Sequence, residues 1–319
     1  MIKNNLIITT FLLISLCTTA KAQILEHVHS DSILKCVYHT MNGRIDGKYT
    51  SYYLNGQRKA EGNFKNNYRD GKWTIWNSSG EMQISRDYKN PFSFEIVFQK
   101  KQSDTAITKY HLTYNKDGYI EYFPLQEKMV IMAKRVWRFI PVENNPLLFQ
   151  NNYLQKIITA NIENGNITAY STNDDEFLKP LKPDEIETEG INIIGYKIKE
   201  DWFFDNERMV SESRIIGICP VSLDTVINST RDLFWIYFPQ IRKYLASEKL
   251  MSNALPEGIT NCDDLFFFRC FASSIYKESN VYDRKISDYK FGDDIAKEAE
   301  RIEINIIEME HDLWKSQIK

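Results

Sequence analysis

The feature that most constrains the fold is an internal repeat with a period of 24 residues near the N-terminus. Residues 44–50 align with residues 68–74, and Gly56 aligns with Gly80. A fixed period with matched glycines and aromatic residues is typical of stacked supersecondary units. Each unit has the pattern strand, glycine turn, strand, and Asn55-Gly56 favours a tight hairpin because both residues tolerate positive φ. The repeat therefore predicts an antiparallel β meander.

Aromatic residues recur in both units of the repeat, with Tyr49 and Tyr52 in the first and Trp73 and Trp76 in the second. We favour packing of one unit against the next as their role, because a single repeat cannot bury a core alone. The alternative is an exposed aromatic strip that binds a partner, with Tyr49 and Trp73 as its main residues. The spacing of glycines and aromatic residues resembles the bacterial variant of the MORN repeat.

The β pattern continues beyond the repeat. From Phe92 to Phe98, apolar residues alternate with other residues at a period of two, as expected for a strand. Residues 110–114 and 119–123 flank a sequence typical of a hairpin turn. We therefore expect one antiparallel sheet, grown by successive hairpins, over residues 35–123.

The first residues have the pattern of a secretory signal peptide. Lys3 supplies a positive charge, residues 6–17 are apolar, and an Ala-x-Ala sequence predicts cleavage after Ala22. The apolar run is shorter than the about 20 residues that a membrane-spanning helix needs, so a retained anchor is the weaker alternative. Lipidation of Cys17 is also disfavoured, because Leu16 stands where a small residue is expected. We expect the mature chain to lie outside the cytoplasm.

Length and a change in sequence character predict two domains after the signal peptide, because domains typically have about 100–200 residues. Residues 23–127 hold the repeats, and residues 128–319 mix helix and strand patterns. The predicted fold class is therefore α+β, with a meander of MORN-like repeats followed by an α+β domain that ends in a long helix. A net charge of −3 argues against nucleic-acid binding.

Four cysteines remain after the predicted cleavage: Cys36, Cys219, Cys262 and Cys270. Four cysteines allow three pairings, and export makes disulfides possible. If residues 262–270 form one helix, the two cysteines in it lie about 12 Å apart, beyond the limit of about 7 Å for a bridge. Free buried thiols explain the four cysteines at least as well as any bridge.

Several secondary-structure elements of the second predicted domain can be predicted from the sequence. Residues 152–164 have the spacing of an amphipathic helix, and the pattern of residues 167–170 predicts a strand. Residues 174–189 are acidic and interrupted by proline, which predicts a solvated loop. Residues 214–218 are apolar on both faces of a strand, which predicts a central position, and residues 235–237 predict a neighbouring strand.

The C-terminal helix carries apolar residues at alternating spacings of four and three, the a/d pattern of a packing helix. These residues are Ile295, Ala299, Ile302, Ile306, Met309 and Leu313. Ile304 and Ile307 widen the stripe, as expected for packing on a domain. We favour packing within the chain, with packing against a neighbouring subunit as the second choice.

Several segments of the second predicted domain, in the same order and spacing, resemble the core of GldN/PorN proteins. The resemblance covers about residues 128–319. It is carried by residues 199–208, 213–221, 233–239, 241–246, 263–266, 275–284 and 310–314.

This resemblance implies a periplasmic component of the type IX secretion and gliding machinery of Bacteroidetes. Family members assemble with a GldK/PorK-like outer-membrane lipoprotein into a large ring, which couples to inner-membrane motor proteins. The chain is then expected to be associated with the outer membrane through its partner. The resemblance implies no catalytic activity.

The sequence contains little that indicates an enzyme. It lacks the common hydrolase, zinc-protease, P-loop and dinucleotide-binding motifs, so we predict no catalytic, metal or cofactor site. His27 and His29 lie near the new N-terminus, where fraying is expected. His311 is interpreted as a cation near a helix C-terminus. Asp263-Asp264 is interpreted as a helix N-cap and first-turn acid.

Aromatic and arginine residues are enriched at protein interfaces, which selects the candidate partner-binding residues. In the second predicted domain they are Trp202, Phe203, Phe204, Arg208, Arg214, Trp235, Tyr237, Tyr276 and Arg284, and in the repeats they are Tyr49 and Trp73. Because residues 202–204 are consecutive, at least one of these side chains leaves the face that the others use. Asp205 is expected to form a buried or interface ion pair with Arg208 and Arg214.

Two other functions are compatible with the sequence. A stand-alone periplasmic binding module would use the repeats to hold a peptide, a glycan or an envelope surface. A secreted cargo protein is ranked last, because such cargo typically ends in a β-domain signal and this chain ends in an amphipathic helix. A deep cleft lined by converging ionisable groups in the second half would argue for an enzyme.

Overall fold

The computed structural model describes residues 21–28, 33–90, 93–99, 105–187, 191–206, 208, 210–224, 229–252, 255–256 and 258–316. The predicted signal peptide lies outside the described residues except for Lys21 and Ala22, and His29 and Phe92 also lie outside them. The described part contains two antiparallel sheets and a long C-terminal helix that packs on both. This architecture confirms the predicted α+β fold class.

The first sheet is a meander in which, within the described residues, eight strands pair in chain order. Its strands are β1 (Ala22–Val28), β2 (Leu34–Met41), β3 (Arg44–Tyr52), β4 (Arg58–Lys65), β5 (Tyr68–Trp76), β6 (Met82–Asn90), β7 (Ser93–Gln99) and β8 (Thr105–His111). The expectation of a frayed terminus at His27 is wrong. His27 lies in β1, where its ring stacks on Tyr38 with centroids 5.8 Å apart.

The turns of the repeat are of two kinds. Asn66 and Asn67, between β4 and β5, have φ of 49° and 75°, as required for a two-residue type I′ hairpin. The predicted hairpin at Asn55-Gly56 forms differently, because only Gly56 has positive φ. The Gly56 N–H donates to the carbonyl of Tyr53 at 2.9 Å, which makes a type I turn closed by a glycine bulge.

The prediction that the first sheet extends to residue 123 is wrong. β8 ends at His111, and beyond it the predicted hairpin survives only as a turn and an isolated bridge between Tyr114 and Ile120. Ile120 is buried in the core of the second sheet, and its carbonyl accepts a hydrogen bond from Arg242 at 2.7 Å. Packing against this distant region outweighs the local preference for a strand.

The second sheet has the order β10-β14-β12-β11-β9-β15, with β13 paired to β12. Its strands are β9 (Val130–Pro141), β10 (Ala169–Tyr170), β11 (Ile193–Asp205), β12 (Val210–Asp224), β13 (Ser229–Asp232), β14 (Trp235–Tyr237) and β15 (Ser274–Glu278). β12 lies between β11 and β14, which confirms the predicted central strand and its neighbour. The predicted strand at 167–170 is present as the short β10. The domain boundary between residues 127 and 128 stays a prediction.

The helices are α1 (Pro146–Phe149), α2 (Tyr153–Glu163), α3 (Phe238–Ser247), α4 (Cys262–Phe267) and α5 (Asp293–Ser316). α2 confirms the predicted helix at 152–164. α4 ends before Cys270, so residues 262–270 are not one helix. All four cysteines named above are free and buried, which agrees with the interpretation of buried thiols. None of the helices in the described residues is long and apolar enough to span a bilayer.

The N-cap of α4 corrects one sequence interpretation. Asn261 is the N-cap and accepts a hydrogen bond from the N–H of Asp264 at 2.9 Å. Asp264 reaches back to the N–H of Asn261, which completes a capping box. Asp263 lies in the first turn, as predicted, and pairs with Arg242.

α2, α3 and α4 cover one face of the second sheet and form the largest apolar core with it. α5 packs beside them, with Ile302 and Ile306 against Val136 of β9 and Ile275 of β15. These contacts confirm that the terminal helix packs within the chain.

The second half of α5 departs from the predicted apolar stripe. Met309 and Leu313, which the stripe included, are only partly buried. Ile304 and Ile307 are buried against the first sheet, as the widened stripe predicted, and so is Trp314, which the prediction did not include. The reason is that α5 contacts two sheets, so its buried surface is wider than one a/d stripe. The apolar residues of α5 therefore join the two sheets.

Candidate functional site

Tyr49 and Trp73 lie on the inner face of the first sheet, on neighbouring repeat units. Both are fully buried, and their ring centroids are 5.7 Å apart. A Cβ on Gly62 would lie 2.2 Å from the Trp73 ring, so this position needs a glycine for the indole to pack. Ile304 and Ile307 of α5 cover the same cluster. In this structure the two aromatic residues pack unit against unit.

Trp202, Phe203 and Phe204 lie near the end of β11 and divide between the two faces of the second sheet. Phe204 is buried against Trp314 of α5, and the half-buried Trp202 packs nearby on the cluster around Ile302. Phe203 is buried beneath Arg214, whose guanidinium carbon lies 5.1 Å from its ring centroid. The three residues therefore do not form one exposed patch.

Arg208 and Arg214 are both held by carboxylates. Arg208 Nε donates to Asp205 at 2.5 Å and its Nη2 to Glu212 at 2.7 Å. Arg214 Nε pairs with Glu212 at 2.8 Å rather than with Asp205, and its Nη2 donates to the carbonyl of Phe123. Burial disfavours the charge of Arg208, but Glu212 and Asp205 outweigh it and raise its pKa. These contacts fix residues 205–214 in position.

Trp235, Tyr237 and Tyr276 lie together with Trp137 on one aromatic cluster of the second sheet. Part of this cluster is covered by Phe177, whose ring centroid lies 5.6 Å from the ring centroid of Tyr237. Trp235 is buried and Tyr276 is half-buried, whereas Tyr237 is 38% exposed. Tyr237 is therefore the member of this group that a partner reaches most directly.

Arg284 lies in an exposed loop between β15 and α5, which we call the Asn280 loop (residues 279–291). Its guanidinium carbon lies 4.8 Å from the ring centroid of Tyr282. Sequence reasoning missed the other exposed side chains of this loop: Val281 is 96% exposed, Tyr282 74% and Phe291 79%. The signal available in the sequence was an apolar pair, Val281-Tyr282, between polar residues.

The Asn280 loop is held in shape by its own hydrogen bonds. The amide nitrogen of Asn280 donates to the carbonyls of Glu278 and Arg284, both at 2.8 Å. Its amide oxygen accepts from the backbone N–H groups of Tyr282 at 3.1 Å and Arg284 at 3.0 Å. Lys277 also pairs with Asp283 at 2.6 Å. The loop therefore presents its apolar residues in a defined conformation.

A buried polar network, which sequence reasoning also missed, joins the first sheet to α5. Glu308 accepts hydrogen bonds from Tyr49 Oη and Lys59 Nζ, both at 2.5 Å. Arg69 Nη1 pairs with Glu310 at 2.7 Å. The signal that could have found this network was the run of acidic residues on the apolar side of the helix.

His311 lies at the centre of this network and corrects another interpretation. Arg69 can only donate, so Nε2 of His311, 3.2 Å from Arg69 Nη2, acts as the acceptor. The proton then lies on Nδ1, 3.4 Å from Glu308. His311 is fully buried, and burial lowers its pKa despite Glu308. His311 is therefore a neutral core residue and not a cation at the helix end.

A second buried network lies where the second sheet meets α5. Glu200 accepts from Arg138 Nε at 2.5 Å and from Arg269 Nη1 at 2.6 Å. Arg138 Nη1 also pairs with Glu303 of α5 at 2.5 Å. Burial raises the pKa of Glu200, but Arg269 and Arg138 outweigh it and lower that pKa to about 2. Glu200 is therefore ionised and structural.

Two clefts open along the seam, the region between the first sheet, the second sheet and α5. Their volumes are about 280 and about 260 Å³. Ionisable groups do converge on these clefts, as an active site would require. The arginines among them are each paired with a carboxylate, which favours a structural role for these arginines over a catalytic one.

Thiol and metal chemistry also find little support in the described residues. Burial raises the pKa of the Cys36, Cys262 and Cys270 thiols to about 12 in each case, which keeps them protonated. Across the described ranges, no group of three or more His, Cys, Asp or Glu side chains is arranged to hold a metal ion. The arrangement of side chains suits rigid packing and protein contact.

Comparison with known proteins gives two family matches. A family model described as gliding motility associated protein GldN matches residues 125–315, which include the whole second sheet and most of α5. A model described as MORN repeat variant matches residues 45–66, which include most of β3 and β4. No curated protein matches the chain.

Proposed function

The chain belongs to the GldN family of gliding-motility-associated proteins, and we propose that it acts as a non-enzymatic scaffold subunit of its secretion machine. As a GldN-family member it is a periplasmic component of the gliding and type IX secretion machinery. The scaffold role is supported mainly by the family match over residues 125–315. The paired state of the arginines around Glu200, Glu212 and Glu310 agrees with a structural role.

The proposed partner is a GldK/PorK-like outer-membrane lipoprotein, which would assemble with this chain into a ring coupled to inner-membrane motor proteins. The Asn280 loop is the best-supported docking surface for it. Val281, Tyr282 and Phe291 expose apolar surface on a loop fixed by hydrogen bonds. Apolar surface on a preorganised segment is typical of protein interfaces, because little conformational freedom is lost on binding.

Co-purification from the native organism tests this proposal. We expect the wild-type chain to retain a lipoprotein of the outer membrane, and the double variant Val281→Ser/Tyr282→Ser to lose at least nine-tenths of it. Leu178→Ser is the matched control, because Leu178 is 76% exposed on another part of the surface. Deletion of the gene is expected to abolish secretion by the type IX pathway.

The outcomes separate the two parts of the proposal. If the wild-type chain retains no lipoprotein and its deletion leaves secretion intact, the scaffold role is wrong. If the double variant retains the lipoprotein as well as the wild type does, docking occurs elsewhere, and Tyr237 is the next surface to test. Thermal unfolding of each variant checks that the fold is preserved.

Localisation also enters the proposal. We propose that the signal peptide is cleaved after Ala22 and that the partner lipoprotein holds the chain at the outer membrane. Sequencing the N-terminus of the chain isolated from the periplasm should then begin at Gln23. An N-terminus at Met1 would contradict cleavage.

A stand-alone binding module that uses its repeats is the second candidate function, and the repeat match over residues 45–66 supports it. Removing residues 35–123 is a poor test, because it would uncover the apolar residues of α5 that pack on the first sheet. Point variants in the Asn280 loop discriminate better. A binding module would keep its ligand when that loop is changed, whereas the scaffold would lose its partner.

A further inference from the structure

Residues 172–178, which follow β10, lie across one face of the second sheet, and we call this loop the strap. The face beneath it is opposite α2, α3 and α4, because Ile198 is buried with these helices and its neighbour Lys199 points to the other side. We propose that the strap fills a binding site for a segment of a partner protein, in which an acidic residue is followed two positions later by an aromatic residue. The site is separate from the Asn280 loop, and the proposal does not rest on the scaffold role.

A row of residues paired in register crosses the sheet beneath the strap. It runs from Lys277 on β15 through Trp137 on β9, Lys199 on β11 and Gly217 on β12 to Tyr237 on β14. Side chains of residues paired in this way lie on the same face of a sheet. This face therefore offers cations and aromatic rings on either side of a glycine, which leaves room above the sheet.

The acidic part of the strap is held by Lys199 and Trp137. Lys199 Nζ donates to the carbonyl of Asp175 at 2.7 Å, to its carboxylate at 3.0 Å and to the carboxylate of Glu176 at 2.6 Å. Trp137 Nε1 donates to the other carboxylate oxygen of Asp175 at 2.5 Å. Lys199 is only 1% exposed, so a segment that replaces the strap must bring a carboxylate, because a buried cation without an anion is strongly unfavourable.

The aromatic part of the strap is Phe177, which lies above Gly217. Its ring centroid is 5.6 Å from those of Tyr170 and Tyr237, and both contacts are edge to face. A Cβ on Gly217 would lie 2.7 Å from Phe177 Cζ, so the glycine provides the space that the ring fills. Lys199 Nζ lies 5.7 Å from the same ring centroid, within the range of a cation–π attraction. The site therefore selects an aromatic ring close to the carboxylate.

The strap is attached in a way that lets a competing segment replace it. Phe177 has a φ of 58°, a left-handed conformation that is unfavourable for a bulky residue. A separate segment is not tethered at both ends, so it can bring a carboxylate and a ring to the same positions without this strain. The base of the strap is closed by a hydrogen bond from the N–H of Ser171 to the carbonyl of Lys179 at 2.9 Å. The strap can therefore lift from the sheet while its base stays paired.

A peptide copy of the strap tests the site. The probe is a fluorescein-labelled, amidated peptide with the sequence of residues 172–179, and the receptor is the full chain with Asp175→Ser/Phe177→Ser, which we call the open variant. We expect saturable binding in fluorescence anisotropy, at least tenfold tighter than to the wild type, because the tethered strap of the wild type competes with the probe. Probes with Phe177→Ser or Asp175→Asn are each expected to bind the open variant at least tenfold more weakly.

Changes in the sheet beneath the strap locate the site. Lys199→Met in the open variant removes the cation and is expected to weaken probe binding at least tenfold. Lys65→Met, at an exposed position of β4, is the matched control and should leave the affinity of the open variant unchanged. Thermal unfolding checks the fold of each variant. If the open variant unfolds, Phe177→Ser alone replaces it, and probe binding at least threefold tighter than to the wild type is then expected.

Three binding results would overturn the proposal: no saturable binding of the probe to a folded open variant, equal affinity for the wild type, or an affinity that neither the probe changes nor Lys199→Met alters. Sedimentation velocity gives a fourth. Dimers of the wild type that are absent in Phe177→Ser would assign the site to the strap of a second copy and not to a partner protein. These measurements use the purified chain and a synthetic peptide, so their failure is distinguishable from loss of the lipoprotein in the Asn280-loop variant.

Discussion

The two sheets of this protein are assembled in opposite ways. In the first sheet every strand pairs with its neighbours in the chain, so the order of strands is the order of the sequence. In the second sheet β9 pairs with β15, and the order of the strands in the sheet does not follow their order in the chain. The first sheet is therefore built from local contacts, and the second depends on contacts between distant parts of the chain.

The cores of the two sheets depend on each other unequally. The second sheet has its own helices, α2, α3 and α4, which close a large apolar core. The inner face of the first sheet is instead covered by Ile304, Ile307 and Trp314 of α5. The locally built sheet thus needs the far end of the chain, whereas most of the second core does not need the first sheet.

The largest expected effect comes from Trp314→Ala. Trp314 is fully buried against Ile75 and Ile84 of the first sheet, and such a truncation costs about 3–5 kcal/mol. We expect hydrogen exchange to accelerate in β4–β6 while β12 keeps most of its protection.

Phe266→Ala is the matched control for this asymmetry, because Phe266 is buried in the core of the second sheet. It should lower protection in both sheets, since α5 also packs on the second sheet. Equal loss of protection in both sheets with Trp314→Ala would show that the two sheets unfold as one unit.

The next effect concerns the buried ion pair between Lys59 and Glu308. Lys59→Met leaves the Glu308 carboxylate buried without its cation, which costs about 3 kcal/mol. The double variant Lys59→Met/Glu308→Gln should regain part of this loss, because the unpaired charge is gone. Urea unfolding measures the free energy of unfolding of the single and the double variant.

Lys297→Met, in an exposed pair with Asp294, is the control and should leave the unfolding midpoint unchanged. If Lys59→Met also leaves the midpoint unchanged, the prediction is contradicted.

The smallest effect is a dependence on pH. Folding lowers the pKa of His311 below its ordinary value of 6.5, so the unfolded chain binds a proton more readily than the folded chain does. Stability is therefore present above pH 6.5 and falls as the pH drops below it, by up to about 1.4 kcal/mol per pH unit. Folding also lowers the pKa values of Glu308 and Glu200 from their ordinary value of 4.5, so the stability that these two carboxylates contribute is lost only below pH 4.5.

Urea unfolding between pH 7.5 and 5 measures the slope that His311 contributes. His311→Gln should flatten the curve in this window, because the buried titrating group is removed. The groups around His311 are Arg69, Glu308, Glu310, Tyr49, Trp73 and Trp314. An unchanged slope in His311→Gln would assign the dependence to another group.

The first sheet could be predicted from the sequence because its information is local. The 24-residue period fixed the strands of the repeat and the packing of Tyr49 on Trp73. Two details were wrong for a physical reason. His27 looked like part of a frayed terminus, yet β1 pairs with β2, and residues 119–123 looked like a strand, yet they pack on the second sheet.

The candidate site could be predicted only in part. The sequence identified the residue types of an interface, but burial decides which of them reach a partner, and burial depends on distant contacts. Trp235 and Phe204 are covered by residues far away in the chain, whereas Arg284 is exposed. Val281 and Tyr282 were missed because the local signal, an apolar pair between polar residues, does not tell whether the pair is buried or exposed. The buried state of His311 likewise depends on Arg69 of the first sheet.

The covering of the first sheet by α5 has a consequence for synthesis. A ribosome completes β1–β6 long before it reaches α5, so during that interval α5 does not yet cover the rings of Tyr49 and Trp73. The repeats then expose an apolar surface of the kind that chaperones bind. Maturation of the N-terminal half therefore waits for the last residues of the chain, and a nascent chain stalled before α5 should be prone to aggregate.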